Sequence, residues 1–246
     1  MDRPRVEVPR VLGVIPARGG SKGLLGKNLM TLGGKTLIQW AIESALGAQT
    51  IDAVMVTSDD PAICAEADKY CRWVLRRRPE LATDEMGMVP VLQDAVQAKA
   101  LTECGEFRYD LVVCLQPTSP FRTGEDIDAC VNLLRESAIA DSASSLVVAP
   151  YPASKLTLLA PGGHMEFVNP HEARRDTRRQ DYETYMPNGA VYVTRRRVLM
   201  DEGAIIGRIH RAHVMPWERS VNVNSIWDFR VAEMIYEHAY LRRRPA

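Results

Sequence analysis

Apolar and polar positions along the chain switch repeatedly between strand-like and helix-like spacing. Residues 11–16 form a continuous apolar run of strand length, as expected of a parallel strand covered on both faces. Thr36 predicts the cap of a helix over about 37–46, closed by Gly47. A second apolar strand over 53–57 runs into Thr57-Ser58-Asp59-Asp60, and Pro61 opens a helix to about residue 70. A short strand at 73–75, a helix at 89–100, a strand at 111–116 and a helix at about 124–137 continue the series. Strand then helix, repeated, predicts an α/β fold around a mostly parallel sheet.

A fifth strand is expected at 146–149, and then the pattern changes. Over about 151–187 the alternation stops, turn residues crowd in (Pro152, Pro161-Gly162-Gly163, Asn169-Pro170), and the basic block of residues 174–180 follows. This reads as an insertion, an arm or lid built on the sheet. Asn188-Gly189 predicts a turn into a strand at 190–194. A helix is expected near 196–202, late strands at 214–216 and 221–223, and a last helix from 225 to about 241.

Composition narrows the class without naming a chemistry. The chain has 246 residues, 46% hydrophobic and 25% charged, the profile of a globular enzyme. Lys+Arg and Asp+Glu both number 31, so overall charge offers no argument for a nucleic-acid or membrane partner. No apolar run approaches the roughly 20 residues of a membrane span, and the N-terminus is too polar for a signal peptide. The five cysteines form no CxxC pair and read as buried thiols of a reducing compartment. A cytoplasmic protein is expected.

Local chemistry gathers at the predicted strand ends. Residues 17–28, ARGGSKGLLGKN, follow the first strand and set four glycines among Arg18, Lys22 and Lys27. Backbone that approaches closely, with fixed cations beside it, describes a cradle for a polyphosphate. Two commoner motifs fail: Leu29 stands where a Walker loop ending in Gly34-Lys35-Thr36 needs glycine, and the loop lacks the G-x-G-x-x-G spacing of a dinucleotide fold. Arg76-Arg77-Arg78 ends the third strand, and Gln116 to Arg122 (QPTSPFR) forms a proline-stiffened loop after the fourth. Together these ends describe a site for a triphosphate and a second, anionic substrate.

IPARGGSKGLLGKN, TSDD, RRRPELATD, LQPTSPFR, the RRQ segment and MPNGAVYV occur in this order, and together they resemble the CMP-N-acetylneuraminate synthetase (acylneuraminate cytidylyltransferase) family. The resemblance implies a Rossmann-like nucleotide-diphospho-sugar transferase fold, with residues 1–246 as one cytidylyltransferase domain and the 151–187 insertion as a dimerisation arm of a homodimer. It implies transfer of CMP from CTP to a sialic-acid-like sugar acid. Arg18, Gly19, Ser21, Lys22 and Lys27 would hold the triphosphate, Asn28 would support the loop, and Arg78 and Ser119 would bind the cytidine part. Gln116, Lys155, Arg178, Asn188 and Tyr192 would face the acceptor, with Lys22, Arg18 and Gln116 nearest the chemistry.

Two features depart from the family pattern. Where the family has the Asp-x-Asp that holds Mg2+, this chain has Asn222 and Asn224, whose amide oxygens are expected to take that metal-binding place with Mg2+ as cofactor, and Met186 stands where the family usually presents an arginine near the sugar acid. The missing arginine at Met186 leaves a different acidic acceptor, such as a phosphonate, as an alternative to a sialic-acid-like sugar acid, and the two asparagines leave a nucleotide-binding protein without turnover as the further alternative.

Overall fold

A computed structural model describes residues 8–20, 23–173 and 183–241. Ser21, Lys22 and Arg178, all expected at the site, lie outside the described residues. Seven strands form the central sheet: β1 (Val11–Pro16), β2 (Ala53–Ser58), β3 (Trp73–Arg76), β4 (Leu111–Cys114), β5 (Ser142–Val148), β6 (Tyr185–Arg195) and β7 (His210–Val214). Their order across the sheet is β7-β5-β6-β4-β1-β2-β3. Every neighbouring pair is parallel except the two made by β6, which alone runs against the rest. The mostly parallel α/β expectation is met.

Strand β1 is buried along its whole length, and its alternate residues enter different cores. Val11 and Ile15 pack with residues of α1 (Leu37–Leu46), α2 (Pro61–Ala67) and, further along the chain, the helix Gly124–Arg135. Leu12 and Val14 pack on the other face with Leu92, Ala95 and Val96 of α3 (Met88–Leu101). The Gly124–Arg135 helix is α4. Its capping box, with Thr123 and Asp126 bonding each other's backbone N–H, fixes where it starts. Thr36 caps α1 as expected, accepting from the Gln39 N–H at 3.2 Å. A third core, built from Leu32, Leu37, Phe121, Val221, Val223, Phe229 and Ala232, lies under α6 (Ile226–Tyr236), which follows the short helix α5 (Arg196–Met200).

Several boundaries differ from expectation for identifiable reasons. Strand β5 starts at Ser142 rather than at residue 146, because its serines are buried with partners. The Ser142 and Ser144 hydroxyls pair with the two ring nitrogens of His210 at 2.7 and 2.8 Å, and Ser145 donates to Asn188 Oδ1 at 2.6 Å. Polar residues satisfied in this way sit inside a sheet without breaking it. Residues 221–223 form no strand; the Val223 N–H instead donates to the Thr118 carbonyl at 2.7 Å. The helices expected to reach 70 and 137 stop at Ala67 and Arg135.

The largest difference concerns Asn188-Gly189. These residues do not turn into a strand but lie within β6, which starts at Tyr185. Pro187 faces Leu146 of β5, whereas Tyr192 faces Ser144, so β6 carries extra residues in a bulge between them. Gly189 holds φ 76 there, and a Cβ on it would lie 2.3 Å from Asn222 Nδ2. The arm between β5 and β6 carries an exposed hairpin of Thr157–Leu159 with Met165–Phe167.

Candidate active site

The carboxyl ends of β1, β3 and β4 open onto one cleft of about 280 Å3. Its lining includes Arg18, Lys27 and Asn28 from the segment after β1, Arg77 after β3, Gln116 and Thr118 after β4, and Asn224. An open parallel sheet leaves its ligand site at this edge because loops, not helices, cover the strand ends there.

The loop after β1 is held from beneath. Asn28 is buried and donates Nδ2 to the Arg18 carbonyl at 2.9 Å, and the Gly19 N–H donates to Asp59 Oδ1 at 3.1 Å. Gly23 packs against Asn224: a Cβ on it would stand 2.4 Å from the Asn224 carbonyl oxygen, so the loop reaches this position only with glycine. The Arg18 guanidinium meets Asp84 Oδ1 at 2.8 Å across the cleft. Lys27 Nζ lies 3.4 Å from Asn224 Oδ1 and 3.5 Å from the Val223 carbonyl. Burial, and the positive charge of Arg18 nearby, lower the pKa of Lys27.

Arginine identity within the Arg76-Arg77-Arg78 run is resolved by burial. Arg77 is 7% exposed, donates to the Thr57 carbonyl at 2.8 Å and lines the cleft. Arg78, expected to bind the nucleotide, has a largely exposed side chain that pairs with Asp94 at 2.8 Å and is not part of the cleft lining. A bare triplet of arginines carries no signal for which member turns inward, so the sequence did not single out Arg77 as the member that lines the cleft. Arg77 reaches it because its side chain folds back onto the end of β2.

The QPTSPFR loop is locked by Arg122, which is fully buried. Its guanidinium donates to the carbonyls of Gln116 at 3.1 Å and Ala190 at 2.6 Å and to Ser44 Oγ at 3.2 Å. Burial pulls its pKa down to about 10. Arg122 thus ties the end of β4 to the bulge of β6 and leaves the Gln116 side chain at the cleft. Ser119 is 1% exposed and its hydroxyl has no protein partner.

The expected acceptor residues are not all gathered in this cleft. The Asn188 amide is already used: it accepts from Ser145 Oγ at 2.6 Å and the Ala190 N–H at 3.1 Å, and donates to Ser220 Oγ at 3.0 Å. This residue shapes the bulge. Tyr192 lies next along β6 beside Cys114, half-buried against the α3 layer. Lys155 is exposed at the base of the arm. Gly33-Gly34 turns a short hairpin between Thr31-Leu32 and Lys35-Thr36, and Lys35 pairs with Glu43.

The Asn222 and Asn224 side chains meet, with Asn224 Nδ2 donating to Asn222 Oδ1 at 3.2 Å. They do not fit a protein-held Mg2+. Both amide oxygens face N–H donors, one of them the Lys27 ammonium. The neighbouring carboxylate, Asp228, accepts from the backbone N–H groups of Asn224 and Ser225 and from the Ser225 hydroxyl. Burial opposes its charge, but these bonds hold its pKa below the usual carboxylate value. Among the described residues no group of three or more His, Cys, Asp or Glu side chains is arranged to hold a metal. No helix among them is long and apolar enough to cross a membrane.

Comparison with known proteins gives this geometry a context. The model of the family described as "Cytidylyltransferase" matches residues 12–217. The chain is 28% identical over 228 residues to an N-acylneuraminate cytidylyltransferase of Escherichia coli O18:K1:H7, covering 93% of this chain and 52% of that protein. It is 29% identical over 231 residues to a pseudaminic acid cytidylyltransferase of Campylobacter jejuni subsp. jejuni serotype O:2, covering 92% and 96%. The chain thus spans about half the length of the former relative and nearly all of the latter. A CMP:2-keto-3-deoxy-manno-octonic acid synthetase solved with CTP superposes with a TM-score of 0.70 at 17% identity, covering 94% of this chain and 99% of that one. That likeness concerns the fold.

Proposed function

The chain belongs to the cytidylyltransferase family, and from that premise we propose that it transfers the cytidylyl group of CTP to a nonulosonic sugar acid. The observation that carries this reading is the convergence of Arg18, Lys27 and Arg77 with Asn28 and Gln116 around one cleft at the strand ends. Relatives named for N-acylneuraminate and pseudaminic acid support a nine-carbon 2-keto acid as acceptor.

In this reading the acceptor's anomeric hydroxyl attacks the α-phosphorus in line. A P–O bond to the sugar forms, the bond to the α–β bridging oxygen breaks, pyrophosphate leaves with that electron pair, and the hydroxyl proton is taken up by solvent. The protein's part is to position both reactants and to neutralise the phosphoryl oxygens. Arg18 and Lys27 act on the phosphates, together with Ser21 and Lys22 of the same loop. Arg77 serves the nucleotide side, with Ser119 behind it, and Gln116 anchors the acceptor with Lys155, Tyr192 and Arg178. Magnesium belongs to this reading as the counter-ion of the triphosphate.

The assembly is proposed as a homodimer of a single catalytic domain, with the arm at 151–187 as the contact and the cytoplasm as its setting. Leu158, Leu159 and Met165 of the arm hairpin are all more than half exposed, and an apolar hairpin of this kind favours burial against a second copy.

The test is pyrophosphate release from Mg2+-CTP with N-acetylneuraminate, pseudaminate and a phosphonate offered separately. Turnover with a nine-carbon acid, and a product of the mass of its CMP conjugate, is expected. Turnover with the phosphonate alone overturns the acceptor class, and absence of CTP binding by calorimetry overturns the reading as a whole.

A further inference from the structure

Asn222, Asn224 and Lys27 meet where the sequence pattern leads one to look for a metal seat. Three observations bear on what they do there. The donor set is neutral: two amides, with Asn222 Oδ1 accepting from the Asn224 amide and Asn224 Oδ1 facing the Lys27 ammonium at 3.4 Å. The ammonium therefore stands where an ion bound to Asn224 would have to come. Carboxylates that could offset a second cation are committed elsewhere: Asp228 to three donors at the start of α6, Asp59 to the Gly19 N–H, and Asp84 to Arg18. Magnesium is ordinarily held through carboxylates and substrate phosphates, not through amides beside a lysine.

The same residues are well placed for another task. Asn222 Nδ2 donates to the Asn188 carbonyl at 3.3 Å, tying the pair to the β6 bulge. Val223, between them, is fully buried in the core under α6, and its N–H is bonded to Thr118. The pair is thus a rigid shelf, and Lys27 rests on its outer amide oxygen and on the Val223 carbonyl. A lysine on a flexible stem loses most of its freedom when two acceptors fix its ammonium.

We infer that the Asn222–Asn224 pair is a positioning shelf that aims the Lys27 ammonium into the phosphate cleft, and is not a seat for a divalent ion. This rests on the cleft being a triphosphate site, as proposed above. Any divalent ion then enters with the triphosphate instead of waiting on the protein, and Asn224 contributes to nucleotide binding even when no metal is present.

Two measurements on the full chain test this. First, Mn2+ is titrated into the protein without nucleotide and free ion is read by electron paramagnetic resonance. Absence of saturable binding, or binding unchanged in Asn222→Ala/Asn224→Ala, is expected; saturable one-to-one binding that the double variant loses overturns the inference. The Asn222→Asp/Asn224→Asp variant serves as the positive control, since paired carboxylates should create Mn2+ binding there. Second, CTP binding is measured by calorimetry in EDTA. Asn224→Ala should weaken it by about tenfold, the order expected for one hydrogen bond to a charged group, with its circular dichroism and melting curve unchanged. Equal metal-free affinity for wild type and Asn224→Ala overturns the shelf. Failure of the wild type to bind CTP at all would instead refute the functional reading and with it the aim of Lys27 at a triphosphate, while the Mn2+ titration would still decide whether the pair seats a divalent ion.

Discussion

Asn28 holds the carbonyl of Arg18 across 2.9 Å from a buried position ten residues along the chain, so the loop after β1 is anchored by a residue that is itself buried. Asn28→Ala leaves that carbonyl without its donor at a cost of about 1–3 kcal/mol, and the loop loosens. CTP affinity should fall by about five-fold if half of that cost is felt at the site. Asn28→Asp should be worse than Asn28→Ala, because a carboxylate faces the carbonyl and also repels phosphate. Calorimetry on the two variants gives the order; equal affinities would show that the loop does not depend on this bond.

In the free protein Arg18 is already neutralised by Asp84 at 2.8 Å. A triphosphate has to compete with that carboxylate for the guanidinium. Asp84→Ala should therefore tighten CTP by a few-fold, on the order of the up to 1 kcal/mol that such a part-exposed pair is worth. The gain should shrink as salt is raised, since screening weakens the phosphate contact. Weaker binding in Asp84→Ala would mean that the carboxylate assists the nucleotide instead of competing with it.

Gly189 occupies the left-handed region within β6 and leaves no room for a side chain beside Asn222. Gly189→Ala should destabilise the fold by about 1–3 kcal/mol through backbone strain alone. Asn222 would also be pushed from its place, so acceptor turnover should fall further than stability does. Urea denaturation and pyrophosphate release measured on the same preparation separate the two losses.

His210 gives the sheet a pH dependence. Burial lowers its pKa below the ordinary imidazole value of 6.5, so the unfolded chain takes up a proton more readily than the fold does. Stability from this group is complete above pH 6.5 and drains away as pH falls through the folded value. Urea midpoints at pH 7.5 and 5.5 should differ more for wild type than for His210→Gln. A variant that loses as much stability on acidification as the wild type would place the titrating group elsewhere.

The fold was largely legible in the amino-acid pattern, and the reason is physical. A fully covered parallel strand such as β1 has to be a continuous apolar run, and caps such as Thr36 and Thr123 are written in single residues. What escaped were features whose signal is pairing in space. Ser142 and Ser144 fall outside the strand expected at 146–149, and it is His210, far along the chain, that satisfies both hydroxyls within β5. Asn188-Gly189 has the chemistry of a turn and is used for a bulge, where the same freedom at positive φ serves a different end. At the site, the grouping of Arg18, Lys27, Asn28 and Gln116 followed from their places after strand ends. Arg77 over Arg78, and the prior engagement of Asn188, depended on which way side chains turn inside a run.

The arm leaves the sheet after Val148 and returns at Tyr185, and these two residues are register partners across β5 and β6. Whatever lies between them is therefore a loop whose ends are pinned together by the sheet itself. Doubling the length of such a loop adds only about 0.6 kcal/mol of closure entropy. The span between these two partners can accordingly change in length while the sheet, and the cleft at its far strand ends, keep their register.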